Sequence, residues 1–157
     1  MNEEYNLVTQ CSFLAPIKTV WDVTVGVAAY PEWWPYIDHV VIEGNEKTLQ
    51  EESNIRYKIK GFLPHSIQFQ THVTRCIPFS RIEMTACGDL EGTGISTLEE
   101  HNGITLARFQ WDVTMTSPFL NRLSQWKFFH KIFVWNHDFA MRSAVKNMQR
   151  RVSHAAN

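Results

Sequence analysis

The feature that most constrains this chain is a change of hydrophobic period along its length. From about residue 38 to residue 115, apolar and polar residues alternate; beyond Pro118, apolar residues return every three or four positions. Strand side chains point to opposite faces in turn, while a helix repeats about every 3.6 residues. Ile55, Tyr57 and Ile59 alternate with Arg56, Lys58 and Lys60, and a turn at GFLPH follows. Ile67, Phe69, Thr71 and Val73 then alternate with Gln68, Gln70, His72 and Thr74. Ile82, Met84 and Ala86 continue the pattern, as do Thr105, Ala107, Phe109, Trp111, Val113 and Met115. Asn102-Gly103 is a strong two-residue hairpin signal, because both central positions of the favoured turn need positive φ.

Strands joined by short turns form an antiparallel meander, apolar on one face and wet on the other. That apolar face needs a cover, and only the tail is long enough. The spacing predicts one helix over roughly 118–153, opening at Ser117-Pro118. Such a helix would run about 50 Å at about 1.5 Å per residue. It carries two adjacent apolar stripes: Phe128, Ile132, Trp135 and Phe139, and beside them Phe129, Phe133, Ala140 and Ala144. Together they read as the wide face of a helix gripped by a sheet. Upstream, residues 5–13 read as a strand. PIKTVWDVTV reads as a short helix with Pro16 in its first turn, and AAYPEWWPY as a second short helix stopped by Pro35. The expected architecture is α+β, as one domain over residues 1–157.

The composition is that of a folded globule: 44% hydrophobic, 20% charged, formal net charge −1. A nucleic-acid partner is not expected, because no basic excess is present to meet phosphate. No apolar run approaches the ~18 residues of a membrane span, and the acidic N-terminus is no secretory signal. The expected location is cytoplasmic. Cys11, Cys76 and Cys87 lack metal-like spacing and read as reduced, buried thiols. Neither a metal nor a cofactor is expected. Six Trp, ten Phe and four Tyr are more than packing alone demands, and large rings line ligand pockets as readily as they fill cores.

Several motifs fall in a telling order: Ala15-Pro16 with Val20-Trp21-Asp22, then Tyr30-Pro31-Glu32-Trp33-Trp34-Pro35. Later come Gly88-Asp89-Leu90-Glu91-Gly92-Thr93-Gly94, Trp111-Asp112-Val113, and Trp135-Asn136-His137-Asp138 with Met141-Arg142. With these, the chain resembles the helix-grip fold of the SRPBCC superfamily, which includes START lipid-transfer domains and the birch-pollen allergen type. Within it, the likeness is to the polyketide cyclase/dehydrase-like proteins. The resemblance covers about residues 5–150. It implies a seven-stranded curved antiparallel sheet around a long C-terminal helix, two short helices after the first strand, and a cavity beneath the long helix. It also implies a small hydrophobic partner such as a lipid, quinone or polyketide. Ser96 and Gln125 depart from the pattern, Ser96 standing where relatives carry a larger residue.

The inward strand positions Tyr57, Phe69, Thr71, Met84, Ser96, Phe109 and Trp111 are candidate pocket walls. Trp34, Phe128, Ile132, Trp135 and Phe139 are candidate ligand contacts from the helices. Three roles remain open: carrier or sensor of an apolar molecule, cyclase/aromatase- or dehydrase-like enzyme, and interaction module with a filled core. For catalysis the weak candidates are Tyr57, Ser96 and His137. His137 and Asp138 are neighbours about 100° apart on a helix and are not expected to pair. Trp33 and Trp34 read as anchors for the short helices or as a gate, with one ring partly exposed. Gly92 and Gly94 read as positions where the sheet curves or the helix approaches closely. Monomer and homodimer both remain open.

Overall fold

The register of the ladders explains how a meander of these strands closes into a trough. The computed structural model describes residues 3–60 and 65–155; of the turn read at 61–65, residues 61–64 lie outside them. The strands are β1 (Glu4–Phe13), β2 (Ile37–Ile42), β3 (Asn54–Ile59), β4 (Ile67–Ile77), β5 (Arg81–Gly88), β6 (Leu90–His101) and β7 (Ile104–Met115). They form one seven-stranded sheet in the order β1-β7-β6-β5-β4-β3-β2, antiparallel at every ladder. Two short helices, α1 (Ile17–Val25) and α2 (Tyr30–Trp33), follow β1, and the tail forms α3 (Pro118–Ser124) and α4 (Phe129–Ala155).

The alternation read from the sequence selects the concave face. Phe109 pairs with Ser96 and with Thr9, and Trp111 with Gly94 and Leu7, placing all six on that face. Tyr57 pairs with Phe69, and Ile55 with Thr71, extending it across β3 and β4. Asn102 and Gly103 turn with φ of 53° and 78°, the double positive-φ hairpin expected. Two glycines permit the curvature. Gly88 has φ +125°, and Gly92 has φ +153° with a Cβ position only 1.9 Å from the Asp112 carbonyl oxygen. β6 therefore presses backbone against β7 at a point where no side chain fits.

The tail departs from the single helix expected over 118–153, because it breaks between Ser124 and Phe129. Leu120 and Phe129 are both buried in the same apolar cluster. Nine residues apart, they would lie on opposite sides of an uninterrupted helix at about 100° per residue. The break lets both reach the sheet. α4 then runs 27 residues, about 40 Å at the usual rise.

α1 is tied down at its N-terminal end by two contacts. The Glu100 carboxylate accepts from Ile17 N at 2.6 Å, a favourable charge at a helix start. Thr105 Oγ1 donates to Ala15 O at 2.8 Å in the interior. α2 is held to α4 by the Arg151–Glu32 ion pair at 3.1 Å. The cysteines differ from expectation: all three are free thiols, but Cys87 is exposed, and Cys11 and Cys76 are only half-buried. Cys87 lies near the bend of β5 at Gly88, where the backbone leaves its regular pleat.

Candidate functional site

The interior divides into two packed regions. One gathers Phe13, Val20, Trp21, Ile55, Val73, Ile82 and Leu98 under Met148 and Val152 of α4. The other gathers Tyr5, Leu7, Ile67, Val113, Met115 and Leu120 under Phe129 and Phe133. Trp111 packs against both. Around it the concave face carries Tyr57, Phe69, Ser96 and Phe109, which point inward by register yet are only half-buried, as is Trp111. In a close-packed core, inward side chains are hidden. Here, rings on the inside of the trough keep solvent-reachable surface.

The rings form a strip. Tyr57 stacks on Phe69 at 5.1 Å and 20°, and Phe69 meets Trp111 edge-on at 6.1 Å. The Trp111 ring lies directly over Gly94, whose added Cβ would come within 2.8 Å of it. Gly94 is thus the hollow in which that ring rests. Thr71 and Met84 lie beneath the strip and are buried. Burial pushes the Tyr57 phenol up to about 12, opposed by the neighbouring Thr71 hydroxyl. The two hydroxyls are neighbours, and Thr71 Oγ1 has no hydrogen-bond partner. Tyr30 stands close by, its phenol raised by burial and by Tyr57 and donating to Thr24 O.

Trp33 and Trp34 extend this neighbourhood. Their rings stack at 5.9 Å and 15°, each also touching Tyr30. Both indoles are half-buried, so both rings, and not one alone, are partly exposed. The helix ends at Trp33, and Trp34 is already extended at ψ 97°, so helical geometry no longer separates the rings. Both Nε1 atoms are buried without a hydrogen-bond partner.

No protein-family model matches the sequence, and no curated protein does so. Solved structures do match. The Zhui aromatase/cyclase from Streptomyces sp. R1128 superposes with a TM-score of 0.78 at 11% identity, over 99% of this chain and 97% of that one. A START superfamily protein from Mycobacterium smegmatis gives 0.72 at 15% identity, over 96% and 98%. Ara h 8.0201 gives 0.65 at 11% identity, over 97% and 99%. The chain has the helix-grip fold.

Within this helix grip, the expected site residues fall into two sets. Tyr57, Phe69, Thr71, Met84, Ser96, Phe109 and Trp111 gather on the concave face, with Trp34 beside Tyr30. Phe128, Ile132, Trp135 and Phe139 do not join them: they are 73%, 42%, 55% and 51% exposed. The gripped stripe is Phe129, Phe133, Asn136, Ala144, Met148 and Val152. The two stripes differ by about 100° around the helix, and one concave surface accommodates only one of them.

The three catalytic candidates are not assembled into a relay. Among the described residues, no hydrogen bond joins Tyr57, Ser96 and His137 to one another. His137 is mostly buried on α4, with Nδ1 3.5 Å from Asp138 Oδ1. This contact, at the long limit of hydrogen bonding, is one that the 100° separation argued against. Burial lowers the His137 pKa, and Asp138 opposes that shift. A histidine held below its ordinary value stays neutral in the folded state while the unfolded chain takes up a proton. Stability is therefore expected to be complete above about pH 6.5 and to fall as pH drops from there through the lowered folded value. Urea midpoints across that window should decline less steeply in His137→Asn.

No position on β1 is among the site residues expected from the sequence. Thr9 is half-buried opposite Phe109, and Cys11 is half-buried with its thiol pushed up to about 11 by burial. The alternation of Tyr5, Leu7, Thr9, Cys11 and Phe13 was available to place them. A surface groove of about 430 Å³ runs from Thr9 and Cys11 to Met141 and Val145.

Proposed function

We propose that this protein binds a small, mainly apolar molecule between the concave sheet and α4, as a carrier or sensor. The observation that carries the reading is the strip of inward rings left half-buried between two packed clusters, with the orphan Thr71 hydroxyl at its base. A buried hydroxyl without a partner costs about 1–3 kcal/mol, so a ligand oxygen reaching it would recover a specific gain. The donors nearby, Tyr57 and the indoles of Trp33 and Trp34, suit a ligand with a neutral acceptor such as a carbonyl. The solved relatives support the reading through the architecture they share, and one is named as a START superfamily protein.

The magnitudes are adequate. Burying ~400 Å² of ligand at ~25 cal/mol per Å² yields about 10 kcal/mol. Association costs of about 4 kcal/mol or more leave affinity on the order of micromolar.

The second reading is chemistry on a polyketide in the same space, which the likeness to the Zhui aromatase/cyclase favours. It fits the site less well. Tyr57 stays protonated near neutral pH, and Ser96 stands across the ladders from Ile82 and Phe109 rather than beside a base.

Titration with the fluorescent fatty acid cis-parinaric acid, in wild type and Thr71→Val, tests the binding reading. The variant should keep or slightly raise the urea midpoint, because an unsatisfied hydroxyl is replaced by a methyl. It should weaken binding about five- to ten-fold through loss of one hydrogen bond. Absence of binding by wild-type protein, to this probe and to flat aromatic quinones, would refute the carrier assignment.

A further inference from the structure

The outer face of the tail, from α3 through the break to α4, has no role in gripping the sheet, yet its composition is unusual. Phe119, Trp126, Phe128, Ile132, Trp135 and Phe139 are all large, apolar and exposed. Other exposed apolar residues, such as Leu14, Phe79 and Leu106, are scattered over the sheet and its turns. Singly exposed apolar side chains are ordinary, whereas a contiguous set marks a surface made to be covered. The set is also ordered: Trp135 stacks on Phe139 at 5.8 Å, and Phe139 meets Tyr36 edge-on at 6.0 Å.

Charge indicates what covers it. Segment 117–142 holds four basic residues, Arg122, Lys127, Lys131 and Arg142, against one carboxylate, Asp138, in a chain of net charge −1. All four are exposed, and none forms an ion pair among the described residues. On the helix, Lys131 and Arg142 fall within about 40° of Trp135 at 100° per residue. Indole rings beside lysines and arginines match the interfacial zone of an anionic bilayer, where rings sit at headgroup depth and cations meet lipid phosphates. A second copy of this chain is a poorer occupant, because a two-fold contact would set this basic face against itself.

We propose that the exposed face of α3, the break after it and the first half of α4 docks on an anionic lipid surface. Docking is peripheral: no helix among the described residues is long and apolar enough to cross a membrane.

Co-sedimentation with vesicles of phosphatidylglycerol mixed with phosphatidylcholine tests this in the full-length protein. Wild type should sediment with the mixed vesicles, bind pure phosphatidylcholine far less, and be released by salt. Phe128→Ser/Trp135→Ser should abolish binding with an unchanged thermal midpoint, since both side chains are exposed. Lys127→Glu/Lys131→Glu should lower partition to the anionic vesicles at least ~10-fold. Leu106→Ser, an exposed site on the opposite side of the sheet, should bind as wild type. Ser96→Phe should also bind as wild type, because the surface acts independently of the interior strip. Failure of wild type to sediment with anionic vesicles would overturn the proposal. So would a concentration-dependent dimer that Phe128→Ser/Trp135→Ser dissolves without any vesicle binding, which would assign the face to a second copy.

Discussion

Gly92→Ala is expected to lower the thermal midpoint by about 10 °C, the largest effect of a methyl added at any glycine among the described residues. The new Cβ would lie 1.9 Å from the Asp112 carbonyl oxygen and 2.9 Å from Val113 Cα, both backbone atoms that cannot rotate away. The residue would also have to hold φ near +153°. Backbone strain of this kind costs about 1–3 kcal/mol. Overpacking costs a further ~1–3 kcal/mol or more. At roughly 2–4 °C per kcal/mol for a protein of this size, the sum gives the stated shift. Gly103→Ala separates the two causes, for it has positive φ (+78°) but open space around it. It should cost only about 1–2 kcal/mol. Equal losses at both positions would mean that the close approach of β6 to β7 does not limit stability.

Ser96→Phe is expected to abolish uptake of cis-parinaric acid while leaving the fold intact. Ser96 sits on β6 between Ile82 and Phe109 across the ladders, facing inward and half-buried. If the strip borders space for a guest, a phenyl ring occupies that space and buries apolar surface at ~25 cal/mol per Å². The urea midpoint then holds or rises, and affinity falls at least ~10-fold. If side chains already fill the space, the same ring overpacks the core and lowers stability by ~1–3 kcal/mol. The two outcomes have opposite signs in one denaturation curve.

The strand half of the chain was legible because alternation carries its own geometry. Once Phe109 and Trp111 are assigned inward, Ser96 and Gly94 follow from the ladder, and Tyr57 and Phe69 from theirs. Gly92 was legible as a bend, although the reason, backbone pressing on backbone, appears only in three dimensions. The helical half was less legible for two physical reasons. A helix with two adjacent apolar stripes does not reveal which one faces the sheet, so the sequence offers Phe128, Ile132, Trp135 and Phe139 as inward residues although they stand outside. The break before Phe129 has no proline or glycine to announce it; it follows from the need to bury Leu120 and Phe129 in one cluster. The orphaned atoms of Thr71, Trp33 and Trp34 are defined by the partners they do not find, and no sequence pattern encodes that.

Native mass spectrometry of the protein gently purified from the cells that produce it tests the account most directly. The account predicts a one-to-one adduct of a small organic molecule, extractable into organic solvent and absent from Ser96→Phe. A wild-type spectrum at the bare chain mass, unchanged after incubation with fatty acids and quinones, would contradict it.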